Sequence, residues 1–302
     1  MNLEGKRIAV TGATGFIGRY LCAELLRRGA EVIGVVRNPD RVPRLREQGV
    51  TLRRADLADP AALRAGFEGV DAVVSNAALF DLDNSNWQDH ERTNIQGGRN
   101  VMQAAHGAGV SRLVLVSSCG VYASMGRDTP AEDGTQYSEQ SRRYFFNRYM
   151  VSKAIAEQDA WAMAQTRGMR MTAVRPSVVY GAHDGNWMPR LRRVAALPMT
   201  FSWIRFSLVY AGDLACGICD CLADERTIGR AYNLAGEDRS LSEFVDALRA
   251  ADGIRVPFRC PLPLPFRNTY DYSLAARELG FTNRSYAEGL ADTRRLERVS
   301  PG

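Results

Sequence analysis

The eight residues Thr11-Gly12-Ala13-Thr14-Gly15-Phe16-Ile17-Gly18 constrain this chain more than any other stretch. They follow an apolar, β-branched run, Ile8–Thr11, and lead into Arg19–Arg28, a helix-like stretch that Gly29 ends. Glycines at 12, 15 and 18 let the backbone turn tightly and let N–H groups approach a pyrophosphate. The helix N-terminus then adds favourable partial charge. A tight strand-to-helix turn needs glycine with or without a ligand. The strand before it and the helix after it are the context in which the triplet reads as a dinucleotide-binding turn.

The rhythm that begins there continues through the first two-thirds of the chain. Strands are expected at Glu31–Val36, Thr51–Arg54, Asp71–Ser75, Leu113–Ser117 and Met171–Val174, with helices at Gln96–Gly107 and Lys153–Gln165. Apolar strands separated by amphipathic helices imply an α/β fold with a doubly wound parallel sheet covered on both faces. After Arg175 prolines and aromatics become frequent, as in Trp187-Met-Pro189, Phe201-Ser-Trp203 and Pro261-Leu-Pro-Leu-Pro265. The expected division is a dinucleotide-binding domain over 1–176, joined again by a segment near 206–235. A smaller C-terminal substrate-binding lobe takes 177–205 and 236–302.

The chain has 302 residues, enough for a full core, and 39 Lys and Arg against 34 Asp and Glu give a formal charge of +5. The basic residues are spread in pairs such as Arg53-Arg54 and Arg142-Arg143, which argues against a nucleic-acid partner. The amino terminus lacks the long apolar stretch of a secretory signal. No run reaches the roughly 18 apolar residues of a membrane span. A soluble, cytoplasmic protein without a membrane partner is expected. Cys216, Cys219 and Cys221 lack a second ligand pair at metal-binding spacing and alternate with Leu214, Ile218 and Leu222, so they read as core rather than as a metal site.

The end of the second strand selects the cofactor. Folds that choose NAD place Asp or Glu there to accept from the ribose hydroxyls. Here the segment is Val36-Arg37-Asn38-Pro39-Asp40-Arg41, and Arg37 takes that place. A guanidinium pairs with a 2′-phosphate, which a carboxylate would repel. NADP(H) is therefore expected over NAD(H).

Tyr149 and Lys153 stand four apart at the start of a helix, on one face. An ammonium near a phenol stabilises the phenolate and suits it to proton transfer. Such spacing also arises on ordinary helix surfaces. Thirty-one residues before Tyr149, Ser118 follows a strand at the sheet edge where ligands gather, a place that turn chemistry alone also explains.

Taken in order, Thr11-Gly-x-x-Gly-x-x-Gly18, Ser118-x-x-Val-Tyr122, Tyr149-x-x-x-Lys153 and Arg175-Pro-x-x-Val-Tyr-Gly181 resemble the extended short-chain dehydrogenase/reductases. That group includes NAD-dependent epimerase/dehydratases, 3β-hydroxysteroid dehydrogenases and dihydroflavonol reductases, all with a Rossmann-type sheet. Asp56-Leu57, Ser75-Asn76-Ala77-Ala78, Asn94-Ile-Gln-Gly-Gly98, Tyr210-x-x-Asp213 and Ala231-Tyr-Asn-Leu-Ala235 extend the resemblance over nearly the whole chain. It implies Tyr149 as acid/base, Lys153 as the group that lowers its pKa and holds the nicotinamide ribose, and Ser118 as the group that orients the substrate oxygen. Gly12, Thr14, Gly15, Phe16 and Ile17 would line the pyrophosphate, and Arg37 with Arg41 the 2′-phosphate. Asp56 and Leu57 would flank adenine, Asn76, Ala77 and Ala78 the adjoining segment, and Pro176, Val178 and Val179 the nicotinamide. The group commonly forms homodimers through two helices per subunit, and no stretch of this sequence singles out that interface.

Within that group, members acting on sugar nucleotides carry an arginine where this chain has Phe206, with Arg205 one position away. The preceding segment is apolar and aromatic. The expected function is an NADP(H)-dependent reductase of a small apolar or aromatic carbonyl compound, or the reverse alcohol oxidation. The alternatives are a nucleotide-sugar epimerase or dehydratase with tightly held cofactor, and a regulatory protein that binds NADP without chemistry. Trp187, Phe201, Trp203 and Phe206 are expected either to line the substrate pocket or to form the core of the lobe. His183 and Asp184 are expected on a loop.

Overall fold

The structure, a computed structural model, describes residues 1–80, 86–124, 129–144, 146–256 and 258–299. In chain order it begins with β1 (Arg7–Thr11), α1 (Phe16–Arg27), β2 (Glu31–Val36), α2 (Pro43–Glu47), β3 (Thr51–Arg54) and α3 (Pro60–Gly66). Next come β4 (Ala72–Ser75), α4 (Trp87–His90), α5 (Gly97–Gly107), β5 (Arg112–Val116), α6 (Arg148–Arg167) and β6 (Arg170–Pro176). Beyond them lie β7 (Val178–Tyr180), α7 (Trp187–Ala196), β8 (Met199–Thr200), β9 (Ile204–Phe206), β10 (Leu208–Tyr210), α8 (Ala211–Ala223) and β11 (Ala231–Leu234).

The main sheet has seven strands in the order β11-β6-β5-β4-β1-β2-β3. β1 pairs in parallel with both β2 and β4, β2 with β3, β4 with β5, and β5 with β6. The winding reverses beside β1, so a crevice opens between the C-terminal ends of β1 and β4. This doubly wound, Rossmann-type α/β arrangement places ligands at that switch point. One face is sealed by Ile33, Val35, Val73, Leu113, Leu115 and Met171 packed against Leu63, Phe67, Val101 and Met102. Strands buried on both faces explain why β4 and β5 read as continuous apolar runs instead of alternating.

The residues form two compact units: Met1–Ala123 with Gln136–Arg175 and Ala215–Tyr232, and Ser124–Thr135 with Pro176–Leu214 and Asn233–Gly302. This differs from the division expected of the sequence. Residues 206–214 lie in the second unit because β10 pairs in parallel with β7. Ser124–Thr135 also belongs there: the Thr129 hydroxyl lies 2.9 Å from that of Thr269, and the Glu132 carboxylate accepts from Asn233 N at 3.0 Å.

Two boundaries move for local reasons. α1 begins at Phe16, three residues before its expected start, because Gly12 alone makes the left-handed turn (φ +68°) and Gly15 is the extended N-cap. Phe16 and Ile17 are therefore first-turn helical residues and not loop. α5 is preceded by a six-residue π-helical stretch, Glu91–Gln96, that continues α4. No described helix is long and apolar enough to cross a membrane.

Candidate active site

Everything in the glycine turn is held by backbone packing. Gly15 N donates to Gly12 O at 3.0 Å, and a Cβ on Gly18 would fall 2.1 Å from that same oxygen. From across the crevice the Thr11 hydroxyl accepts from Asn76 N and Ala77 N, both at 3.1 Å, and the Asn76 amide donates to Gly12 O at 3.3 Å. A Cβ on Gly12 would meet Ala77 Cα at 2.8 Å. The structure thus brings Gly12, Thr14, Gly15, Phe16 and Ile17 beside Asn76 and Ala77, with Ala78 exposed just beyond. The N-terminus of α1 has no side-chain cap and no acidic residue in its first turn. Uncapped N–H donors at the end of a twelve-residue helix fit an anionic pyrophosphate.

Arg37 and Arg41 follow β2 on the adjoining edge of the sheet. Both are exposed, and neither makes an ion pair among the described residues. Asn38 caps the turn between them by accepting from Asp40 N at 3.1 Å. Asp56 closes a local turn, its Oδ1 accepting from Ala58 N at 2.9 Å, and Leu57 is fixed through its carbonyl by the Asn100 amide at 2.7 Å.

The tyrosine, serine and lysine meet at the C-terminal end of β5. Ser118 caps the short turn after the strand, its Oγ accepting from Gly120 N at 3.0 Å, and its side chain acts on the Tyr149 phenol to lower its pKa. Tyr149 and Lys153 project from one face of α6. Phe80 packs edge-on against the Tyr149 ring at 4.8 Å, and the His90 ring lies 6.3 Å away. Burial pushes the phenol up to about 12, and the Ser118 side chain offsets only part of that. The Lys153 ammonium donates to Val116 O at 2.8 Å, and desolvation lowers this lysine to about 8 while the Glu157 carboxylate raises it. Burial thus favours the neutral phenol over the phenolate.

Sequence reasoning gave Asn94 no role. It is buried in the π-helical stretch, and its amide donates to Ser152 Oγ (2.9 Å) and Leu79 O (3.1 Å) while accepting from Leu79 N (2.7 Å). Ser152 in turn donates to Tyr149 O at 2.7 Å. These bonds fix both the start of α6 and the segment leading to Phe80. A polar residue buried mid-helix is the available signal, and π-helical turns recur at functional sites.

In the second unit, Pro176 ends β6, while Val178 and Val179 pair with Leu208 and Val209. Ser177 Oγ accepts from Gly236 N at 3.2 Å. The aromatic residues divide. Phe201 is buried and Trp203 is 60% exposed, whereas Trp187 packs on Phe206 at 6.2 Å and Phe206 on Phe266 at 6.1 Å. Arg205 is engaged by the Asp238 carboxylate at 2.6 Å. Asp184 caps α7, accepting from the backbone N–H of Asn186, Trp187 and Met188, and His183 before it adopts φ +67°. Cys219 and Cys221 are buried in α8, and burial raises both thiols.

Comparison with known proteins gives a consistent picture. The profile of the NAD dependent epimerase/dehydratase family matches residues 8–235. The chain is 35% identical to the cinnamoyl-CoA reductase 1 of Arabidopsis thaliana over 310 residues, covering 96% of this chain and 88% of the relative. It is 35% identical over 187 residues to the 2-alkyl-3-oxoalkanoate reductase of Stenotrophomonas maltophilia (strain K279a). That match covers 61% of this chain and 54% of the relative, about half of its length. Among solved structures, a UDP-glucose-4-epimerase from Stenotrophomonas maltophila with bound NAD and formylated UDP-arabinopyranose has a TM-score of 0.81 at 26% identity, covering 98% of this chain and all of the other.

Proposed function

The chain belongs to the NAD dependent epimerase/dehydratase family, and we propose that it is an NADP(H)-dependent reductase of a small carbonyl compound, apolar or aromatic in character. The observation that carries this reading is the grouping of Ser118, Tyr149 and Lys153 at the C-terminal end of β5, where burial favours the neutral phenol. Reduction of a carbonyl needs a proton for the developing alkoxide, and a phenol held protonated supplies it from Oη. Ser118 holds the same oxygen in place. Lys153, on the same helical face, carries the ribose of the nicotinamide. The glycine turn and the N-terminus of α1 take the pyrophosphate. When bound, the dinucleotide supplies the hydride equivalent to the carbonyl carbon.

The names of the relatives, cinnamoyl-CoA reductase and 2-alkyl-3-oxoalkanoate reductase, support an aromatic or alkyl carbonyl compound as substrate. The whole-chain likeness to a UDP-glucose-4-epimerase favours a second reading, in which a sugar nucleotide is the substrate. Against it, Phe206 stands where such members carry an arginine, and neighbouring Arg205 is spent on Asp238. An NADPH-oxidation screen over aliphatic, aromatic and steroid ketones, beside UDP- and dTDP-sugars, separates the two. Turnover of a ketone class is expected. Silence across all ketones, with thermal protection by a sugar nucleotide, would replace the first reading by the second.

For the cofactor we propose NADP(H), with Arg37 and Arg41 on the 2′-phosphate. Arg37→Ala is expected to weaken NADPH binding about tenfold, the order of one charge-assisted hydrogen bond, and to leave NADH binding unchanged. Fluorescence titration with both reduced cofactors measures the ratio. Equal affinities in the native protein, unmoved by the substitution, would refute the preference.

A further inference from the structure

Tyr149, Lys153 and Glu157 stand four apart on α6, so the three share one face of the helix. The first two reach the site, and the third is fully buried and faces Arg175 of β6. The Arg175 guanidinium donates through Nε to both Glu157 oxygens, at 3.0 and 3.2 Å, and its Nη2 bonds Oε1 again. The two side chains are 4% and 0% exposed. Trp161 Nε1 also donates to Glu157 Oε1, at 3.3 Å.

The other arm of the same guanidinium points at the serine turn. Arg175 Nη1 donates to the Tyr122 hydroxyl at 2.7 Å, with the guanidinium 5.2 Å from the Tyr122 ring centre. The Arg175 carbonyl accepts from the Cys119 thiol at 2.9 Å. Cys119 and Tyr122 bracket the turn that begins at Ser118. One residue therefore grips the turn at two points and the helix at a third.

We propose that Arg175 is the positioning residue of this site: by tying the turn that bears Ser118 to the helix face that bears Tyr149 and Lys153, it holds Ser118 and Tyr149 in register. The inference rests on the reading of those residues given above. Its physical basis is the planar, five-donor guanidinium, which fixes directions that a lysine ammonium would leave free. Reacting groups misplaced by about 1 Å cost on the order of a hundredfold in rate. The charged and titratable members of this cluster are Glu157, Lys153 and Tyr149 on α6, Arg175 on β6, and Cys119 and Tyr122 on the turn. Of these, Glu157 is the charge that acts on Lys153.

Removing one partner alone strands a buried charge and endangers the fold, whereas replacing both by apolar residues of similar volume is tolerated. The test is accordingly the paired variant Arg175→Met with Glu157→Met, beside the milder Tyr122→Phe. In the paired variant kcat is expected to fall on the order of tenfold to a hundredfold with KM within about threefold, and Tyr122→Phe to show a smaller loss of the same kind. A second readout needs no substrate. The sequence contains two lysines, Lys6 and Lys153, so a Lys6→Arg background labelled with 13C-lysine gives one side-chain signal to titrate by NMR. Lys153 is expected to titrate near 8 in the native protein and about one unit lower in the paired variant, which lacks the carboxylate. Native kcat in a folded paired variant, or a Lys153 signal that titrates there at the native position, overturns the inference. A native protein that reduces no ketone would instead overturn the functional reading, and the lysine titration would still decide this one.

Discussion

Tyr149→Phe is expected to lower kcat about a thousandfold while leaving NADPH affinity within about twofold. A positioned general acid contributes roughly 10²–10⁴ in rate, and a thousandfold loss corresponds to about 4 kcal/mol of transition-state stabilisation. The substitution removes one oxygen and keeps the ring, so the edge-on packing of Phe80 survives. The lost atom is the phenol oxygen on which Ser118 acts. Steady-state rates with a substrate found in the ketone screen, together with cofactor fluorescence, measure both quantities. A variant that retained turnover would refute the role of the phenol. A phenol raised to about 12 is protonated throughout the neutral range, so the proton that a reduction would draw from it is present there.

Gly18→Ala is expected to abolish dinucleotide binding, with a loss of affinity beyond a hundredfold, and to destabilise the fold. The added methyl would lie 2.1 Å from Gly12 O and 2.9 Å from two backbone atoms of Ala13. Those neighbours are main chain within the turn itself, so relief requires the turn to open. Overpacking in a core costs typically 1–3 kcal/mol, and here the atoms displaced are the ones that shape the phosphate cradle. Gly98→Ala is the control: in α5 a Cβ would meet only the Ala156 methyl, at 4.0 Å. The helix should gain up to about 1 kcal/mol there, with cofactor affinity unchanged. Thermal melts and cofactor titrations of the two variants side by side make the comparison. Native-like binding by the Gly18 variant would show that the turn is not the phosphate site.

The sheet was legible because its signals are local. Glycine spacing, apolar strand runs and helix-ending glycines survive in a linear string, and β2 and β3 fall where the sequence puts them. The candidate site was legible as a set of residues and less so as an arrangement. The Lys153 ammonium turns to Val116 O because a buried charge seeks the nearest unpaired acceptor, and nothing in a Tyr-x-x-x-Lys spacing encodes that carbonyl. Asn94 acquires its place from a π-helical stretch, which leaves no periodic trace in six residues. Residues 206–214 group with the second unit through the pairing of β10 with β7, and a three-residue apolar run reads alike whichever sheet receives it. The aromatics of the C-terminal part were ambiguous for the same reason: Phe201 and Trp203 differ by two positions and fall on opposite sides of the burial boundary.

The interleaving of the two units bears on how such a chain comes off the ribosome. The path passes from one unit to the other at 123, 135, 175, 214 and 232, so neither unit is a continuous stretch of sequence. β11, the strand that borders β6, is encoded some sixty residues after it, and until it emerges the nascent sheet presents an open edge. The last segment of the first unit, Ala215–Tyr232, precedes the last segment of the second, so synthesis completes the sequence of the first unit before that of the second. A fragment that stops before Ala215 lacks part of the first unit, whatever it keeps of the rest.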